Sequence, residues 1–302
     1  MEHNGIHIKS ISEKQDRFVQ DIIVKDESNI VLKIVKPNTT YYSYLTLSKC
    51  KFCNKKLFMS EKSLARYGYG FCDHNCQHCY TRLINDPKNA NILNNKNSNF
   101  YYLLGLVATD GTIIFPETRN KYKAHALRIQ LQIRDARILE FIKNEFGGKI
   151  SYTKKYVTWE LSNKPFLEYL ISETGFTPHK SKTLNVTKWF DGLTYDQQRH
   201  FVRGCWDGDG TIYQRKDNYI ISAFVSASGD FFEMIEKFFK NYEHKLYKSV
   251  TAYGANIHKI SFHGKRIIAP MNIIYGDLNE DDFFLERKYT NFNKFKSILE
   301  QQ

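Results

Sequence analysis

Asp-Gly-Thr-Ile occurs twice in this chain, at Asp110 to Ile113 and at Asp209 to Ile212, and each copy follows a glycine five residues earlier, Gly105 and Gly204. The two copies are 99 residues apart in a chain of 302. A repeat of that period restricts the fold to two structurally equivalent halves on one polypeptide, each about one small domain in size.

The flanking sequence supports the duplication. Apolar stretches with helical spacing precede both copies, "FYYLLGLVATDG" and "RHFVRGCWDGDG", and each ends in the glycine expected just past a helix C-terminus. Thr194 with Gln197 three residues on is a capping-box start for the second helix. In the first half "ALRIQLQIR" alternates Leu127, Ile129, Leu131 and Ile133 with Arg128, Gln130, Gln132 and Arg134, the pattern of a half-buried strand. "DARILEFIKNEFGG" has helical periodicity and a Gly-Gly stop, "KISYTKKYVTWELS" is hairpin-like, and "KPFLEYLISETG" closes the half as a helix. The second half offers "YIISAFVSAS", "DFFEMIEKFFKNY", "KSVTAYGANIHKISF" and "KRIIAPMNIIYGD" in the same order. The predicted class is therefore α+β, with two pseudo-symmetric αββαββα halves over 100–196 and 197–302.

Charge narrows the partner. Forty-four Lys and Arg oppose 32 Asp and Glu, a formal net of +12, which favours a polyanion and nucleic acid first. No apolar run approaches the roughly 18 residues that span a membrane, and "MEHNGIHIKS" lacks the apolar core of a signal peptide. The expectation is an intracellular protein, cytoplasmic in a bacterial or phage-infected host, since Lys, Asn, Ile and Tyr are abundant as in AT-rich genomes.

Six cysteines in a reducing compartment point to metal rather than disulfides. Five cluster as Cys50-x2-Cys53, then Cys72-x3-Cys76, then Cys79. A Cys-x2-Cys turn gives a tetrahedral Zn2+ two thiolates from one knuckle, and a second pair on one face of a helix supplies two more. The arrangement resembles treble-clef zinc fingers, with Cys50, Cys53, Cys72 and Cys76 at the ligand positions; Cys79, His74 and His78 are alternatives for a ligand. A closed site of this kind is structural, a staple for a module too small to hold a core. The expected module is 46–84, preceded by a segment 1–45 of unclear role in which "SEKQDRFVQDIIVKD" suggests a short helix and "NIVLKIVK" a strand, and followed by an Asn-rich linker, 85–99.

From residue 100 to about 297 the chain resembles the LAGLIDADG homing endonucleases in their single-chain, two-motif form. "LLGLVATDG" and "VRGCWDGDG" stand at the nine motif positions, and "FLERKY" from Phe284 to Tyr289 matches a family ending. Departures are Ala108, where the family often has an acid, and Arg203 and Trp206, where small or apolar residues are usual. The resemblance implies a saddle that binds DNA and close packing of the two motif helices through Gly105 and Ala108 on one and Gly204 and Gly208 on the other. It also implies Asp110 and Asp209 as metal ligands, and a basic residue after the fourth strand of each half, here Lys164 and Lys265. Two carboxylates held together repel, and helix C-termini add negative potential, so such a pair favours a hard cation such as Mg2+. Arg pairs bidentately with guanine and Gln with adenine. Arg128, Gln130, Gln132 and Arg134 are accordingly the expected base contacts, joined by Ser222, Ser226 and Ser228.

The function implied is a monomeric, Mg2+-dependent endonuclease that makes a staggered break at a long, imperfectly palindromic site in double-stranded DNA. The alternative is a non-cleaving protein of the same fold, an intron RNA maturase or a DNA-binding regulator. An intein is disfavoured: no nucleophile stands at position 1, and "ILEQQ" replaces the His-Asn expected at its end.

Overall fold

The computed structural model describes residues 2–3, 6–8, 18–24, 29–36, 39–51, 54–60, 65, 70–71, 76–77, 80–81, 86–114, 126–177, 180–251, 254 and 256–301. Two compact units divide the chain, Met1–Pro87 and Lys88–Gln302.

The first unit is built on a six-stranded sheet of β1 (Glu2–His3), β2 (Ile6–Ile8), β3 (Phe18–Val24), β4 (Asn29–Lys36), β5 (Thr39–Lys49) and β6 (Lys56–Ser60), in the order β1-β2-β6-β5-β4-β3. Strands β2 and β6 run parallel, and the other described neighbours in the sheet run antiparallel. Strand β3 occupies part of the stretch expected to be helical; Val19, Ile22, Ile23 and Val24 are β-branched, and β4 pairs with them antiparallel. The "NIVLKIVK" strand is β4. Strand β5 runs straight through the boundary expected at 45/46, so the strands before that boundary and β6 after Cys50 share one sheet.

The second unit carries the duplication. Its first half is α1 (Ser98–Asp110), β7 (Gly111–Ile114), β8 (Ala126–Gln132), α2 (Ala136–Phe146), β9 (Lys149–Tyr152), β10 (Tyr156–Leu161), α3 (Lys164–Ser172) and the short α4 (Thr187–Asp191). The second is α5 (Tyr195–Asp209), β11 (Thr211–Gln214), β12 (Ile220–Ser226), α6 (Gly229–Phe238), β13 (Lys245–Val250), β14 (Asn256–His263), α7 (Ile268–Tyr275) and α8 (Glu286–Gln301). Each half holds an antiparallel four-stranded sheet, β7-β8-β10-β9 and β11-β12-β14-β13. The identical strand order is the αββαββα plan read from the repeat.

One apolar core runs through both halves. Leu127, Ile129 and Leu131 of β8 face it, as do Ile138, Leu139, Ile142 and Phe146 of α2. Helices α1 and α5 cross at its centre and are the most extensively paired helices of the unit. Helix α1 starts where the Asn97 side chain accepts from the Phe100 N–H, 3.0 Å, and α5 starts on the Thr194–Gln197 capping box.

The Asn-rich stretch is not a free connector. Ile92 is buried in the core, and Asn99 donates to Glu145 at 2.7 Å and to the Asp281 carbonyl at 2.9 Å while accepting from Phe283 N at 2.8 Å. Asparagine's paired donor and acceptor suit it to such bridging, a use that composition does not distinguish from a linker.

Candidate active site

The site begins with two glycines. A Cβ added at Gly105 would lie 2.0 Å from the Phe201 carbonyl oxygen, and one at Gly204 would lie 2.1 Å from the Tyr102 carbonyl oxygen. Shifted by 99 residues, each contact is the other, so the repeat in sequence is a two-fold relation at this crossing. Gly208 serves the same closeness, with Thr109 Oγ1 only 1.9 Å from where a Cβ would be; Ala108, nearly buried, is the fourth small residue.

This approach brings the ends of α1 and α5 together. The Asp110 carboxylate lies against Gly208, the residue before Asp209. Burial, then the Asp209 charge, pushes the Asp110 carboxyl up to about 6, and burial raises Asp209 as well. Lys180, Lys288 and Arg287 oppose the rise at Asp110, and the first two oppose it at Asp209.

The cations beside the acids are thus Lys180 and Lys288, both nearly buried. Lys180 donates to the Thr109 carbonyl at 3.1 Å and lines a cavity of about 250 Å³ with Asp209, Thr109 and Ser226. Lys288, from α8, donates to the carbonyls of Trp206, Gly208 and Gly210 at 2.9, 3.0 and 2.6 Å, and to that of Asp207. One ammonium therefore satisfies the carbonyl-rich end of α5, where the helix dipole is negative. Burial lowers both lysines, Lys288 to about 8.

Lys164 and Lys265 stand elsewhere. Lys164 is exposed at the first position of α3 and pairs with Glu168 at 3.5 Å, and Lys265 is exposed in the turn after β14. Lys288 was within reach of sequence reasoning, because it lies in the quoted "FLERKY"; Lys180 carried no local signal.

Asp207, two residues before Asp209, is a further acid of α5. It is fully buried and accepts from Tyr102 Oη at 2.9 Å, Tyr275 Oη at 2.5 Å and Leu285 N at 2.7 Å. Burial raises its carboxyl against these hydrogen bonds and Lys288. Asp207 sits where the first motif has Ala108, so the acid absent from one motif is a structural clamp in the other. Arg203 is equally buried, donating to the Phe283 carbonyl at 2.9 Å with Asp282 3.6 Å away.

The sheet faces divide the expected base contacts. Arg128, Gln130 and Gln132 are exposed on the outer face of β8, in rows with Glu160, Thr158 and Tyr156 of β10. Arg128 bonds Glu160 at 2.8 Å and Gln130 bonds Thr158 at 3.1 Å. Arg134 is exposed but leaves the row, since the strand ends at Gln132 and Ile133–Asp135 turn into a 3-10 helix. Ser222, Ser226 and Ser228 are buried. Ser222 donates to the Thr211 carbonyl at 3.1 Å, Ser226 to that of Ser228 at 3.2 Å, and Ser228 to that of Leu184 at 2.7 Å. In β12 both faces are apolar or small, so alternation gave no parity; Ser222 and Ser226 fall on the core side with Phe224, and Ser228 lies past the strand, just before α6.

Of the expected zinc ligands, Cys53, Cys72 and the alternatives Cys79, His74 and His78 lie outside the described residues. Cys50 is buried with Leu57, and Cys76, in a helical turn, packs against the same cluster. The chain reverses tightly after Cys50: Asn54 N donates to the Cys50 carbonyl at 3.0 Å and Cys50 N to that of Lys55 at 2.9 Å, with Asn54 left-handed. Among the described residues no group of three or more His, Cys, Asp or Glu could hold a metal ion.

Comparison with known proteins bears on the duplicated unit. Residues 103–191 match the family model for LAGLIDADG endonuclease. No curated protein matches the chain. Among solved structures, the LAGLIDADG meganuclease I-AabMI bound to uncleaved DNA is 14% identical, with 68% of this chain and 91% of that chain covered and a TM-score of 0.49. The LAGLIDADG homing endonuclease I-GzeII in complex with its DNA target is 14% identical, covering 68% and 90%, at 0.47. I-DmoI in complex with DNA and Mn is 15% identical, covering 61% and 100%, at 0.45. The matched LAGLIDADG segment begins inside α1 and ends with α4, so it takes in Asp110 and Lys180.

Proposed function

We propose that this protein is a site-specific DNA endonuclease that hydrolyses one phosphodiester on each strand of a long, imperfectly palindromic duplex, with a divalent cation such as Mg2+. The observation that carries the reading is the pair Asp110 and Asp209, drawn together at two helix ends with Lys180 and Lys288 beside them. A protein gains nothing in stability from two buried carboxylates that repel; the arrangement is suited to cation binding.

The donor set fits the ion. Mg2+ retains several waters and is held by one or two carboxylates plus substrate phosphate oxygens, so two acids without a third suffice. When bound, such an ion polarises the scissile phosphate and lowers the pKa of a coordinated water. Asp110 and Asp209 hold the cation, and the Lys288 contacts fix the end of α5 so that Asp209 does not drift. Lys180, facing the cavity beside Asp209, offsets charge that develops on the phosphate. Arg128, Gln130 and Gln132 contact base edges in the major groove. Both motifs lie on one chain, so the working unit is a monomer, inside the cell where its DNA lies.

The first unit, in this reading, carries a structural Zn2+ on Cys50, Cys53, Cys72 and Cys76. Support comes from the tight reversal after Cys50 and from Cys76 packing, half-buried, against the cluster that buries Cys50.

The test is selection from a randomised duplex library for cleavage with Mg2+, with Asp110→Asn and Asp209→Asn in parallel. Recovery of one long site, cut by the unmodified chain and not by the double variant, is the expected result. Enrichment by binding without any cut would refute the endonuclease reading in favour of a non-cleaving binder, and preference for RNA at matched salt would then point to a splicing role.

A further inference from the structure

The two sheets present different chemistry on equivalent faces. Thr112 pairs with Arg128 across β7 and β8, and its repeat partner Thr211 pairs with Ala223 across β11 and β12. The position of Arg128 is therefore held by Ala223 in the second half, and that of Gln130 by Val225. Ala223 is 1% exposed and its row neighbour on β14, Ser261, is fully buried, so the centre of this face presents no side chain to solvent.

Besides the hydroxyls of Thr211 and Ser249, what the second face exposes is aromatic and cationic. Tyr213, Tyr219 and Tyr247 are 40, 45 and 45% exposed, Lys245 is exposed, and Lys259 lies 5.5 Å over the Tyr247 ring. His263, beside Tyr219, spends one ring nitrogen on Ser261 at 2.8 Å. Within strands β11 to β14 no described Arg, Asn or Gln stands on this face, Gln214 and Asn256 falling on the opposite parity; the arginine beside it, Arg215 opposite Tyr219 in the hairpin past β11, is held by Asp217 at 3.0 Å at the rim of the sheet. The planar forks of Arg and Gln fix a base through two hydrogen bonds at once, whereas a lysine ammonium, a point charge without that fork, discriminates less and serves phosphate equally well, and a tyrosine ring offers a flat surface to sugar and base alike.

We infer that the two halves divide the work of recognition: the first sheet, through Arg128, Gln130 and Gln132, discriminates sequence, and the second, through Lys245, Lys259, Tyr213 and Tyr247, supplies affinity with little discrimination. The inference rests on the duplex-DNA reading above and adds which half-site is stringent.

The experiment is a binding selection with the full chain carrying Asp110→Asn and Asp209→Asn, so that cutting does not enter the readout. Single base-pair changes are then scored in each half of the recovered site. One half should lose about 5- to 150-fold in affinity per changed base pair and the other less than about 5-fold. Adding Gln130→Ala should relax a position in the stringent half alone. Adding Lys259→Ala should weaken every sequence alike and reduce the salt slope by about 1. Equal stringency in the two halves, or relaxation of specificity by Lys259→Ala and not by Gln130→Ala, would overturn the division while leaving the duplex-DNA reading intact. Failure to enrich any duplex would overturn both.

Discussion

Gly105→Ala sets two effects of known size against each other. Alanine within a helix is favoured over glycine by about 1 kcal/mol, so an open site would be stabilised. Here the new Cβ meets a backbone carbonyl at 2.0 Å and a backbone nitrogen, that of Cys205, at 2.8 Å, and neither can rotate away. The helices must part until the first contact has lengthened by roughly 1.4 Å to reach ordinary van der Waals distance. Tyr102, Leu106, Phe201 and Cys205, all fully buried around the crossing, would then lose part of their contacts across it. With about 20 cross-interface contacts per side chain at ~0.15 kcal/mol each, losing about a quarter costs roughly 3 kcal/mol. The net expectation is a destabilisation of about 2 kcal/mol, read as a lower urea midpoint at unchanged slope. Gly105→Ala combined with Gly204→Ala should cost less than the sum, because one separation relieves both clashes. Gly192→Ala is the control: its added Cβ meets nothing nearer than 3.4 Å, and it should change stability by less than about 0.5 kcal/mol. A Gly105→Ala protein as stable as the parent would mean that helix propensity wins and that α1 and α5 do not cross at this distance.

Three further outcomes follow from the site. The Asp110 carboxyl, held up at about 6 against an unfolded value of about 3.9, favours folding in its protonated form, a contribution whole below about pH 4 and lost as pH rises through 6. Without divalent cations Asp110→Asn should therefore match the parent near pH 4 and exceed it by about 2–3 kcal/mol at pH 7, and Mg2+ should narrow that gap by stabilising only the parent; an unchanged gap across pH would count against the buried pair. Lys288→Met leaves the carbonyls at the end of α5 without their donor and should cost about 3 kcal/mol or more in thermal or chemical unfolding; a loss under about 1 kcal/mol would mean water takes its place. Metal analysis of the purified chain should find one zinc, lost in Cys53→Ser, with chelation melting the strand signal of the first unit; a zinc-free, folded protein would remove the zinc assignment.

The plan of the second unit was open to sequence reasoning because duplication leaves a mark that propensity does not. Gly105 with Asp110 and Gly204 with Asp209 repeat at one spacing, and burial of α1 and α5 demands small residues at the crossing whichever half is read. The strict alternation from Leu127 to Gln132 likewise fixed which side of β8 faces outward, since one apolar face has only one way to be buried. The first unit was less legible: strand pairing turned part of an expected helix into β3, a tertiary preference that overrides local pattern.

Partners distant in the chain are another matter. Nothing near Lys180 announces Thr109, and the family-like ending that holds Lys288 marks the residue without naming the end of α5 as its partner, because a lysine's local sequence is the same whether its ammonium is in water or on a carbonyl. Lys164 and Lys265 satisfied a positional rule, yet their side chains point to solvent. The serines of β12 looked polar enough for DNA, and only the pairing of Thr211 with Ala223 shows that they lie on the core side. Sequence by itself determined the two-fold architecture and the two acids, because symmetry and burial act through periodic, local signals. Tertiary structure alone decided which cations face those acids and which sheet face meets solvent, because charge and exposure depend on distances in space that residue spacing does not encode.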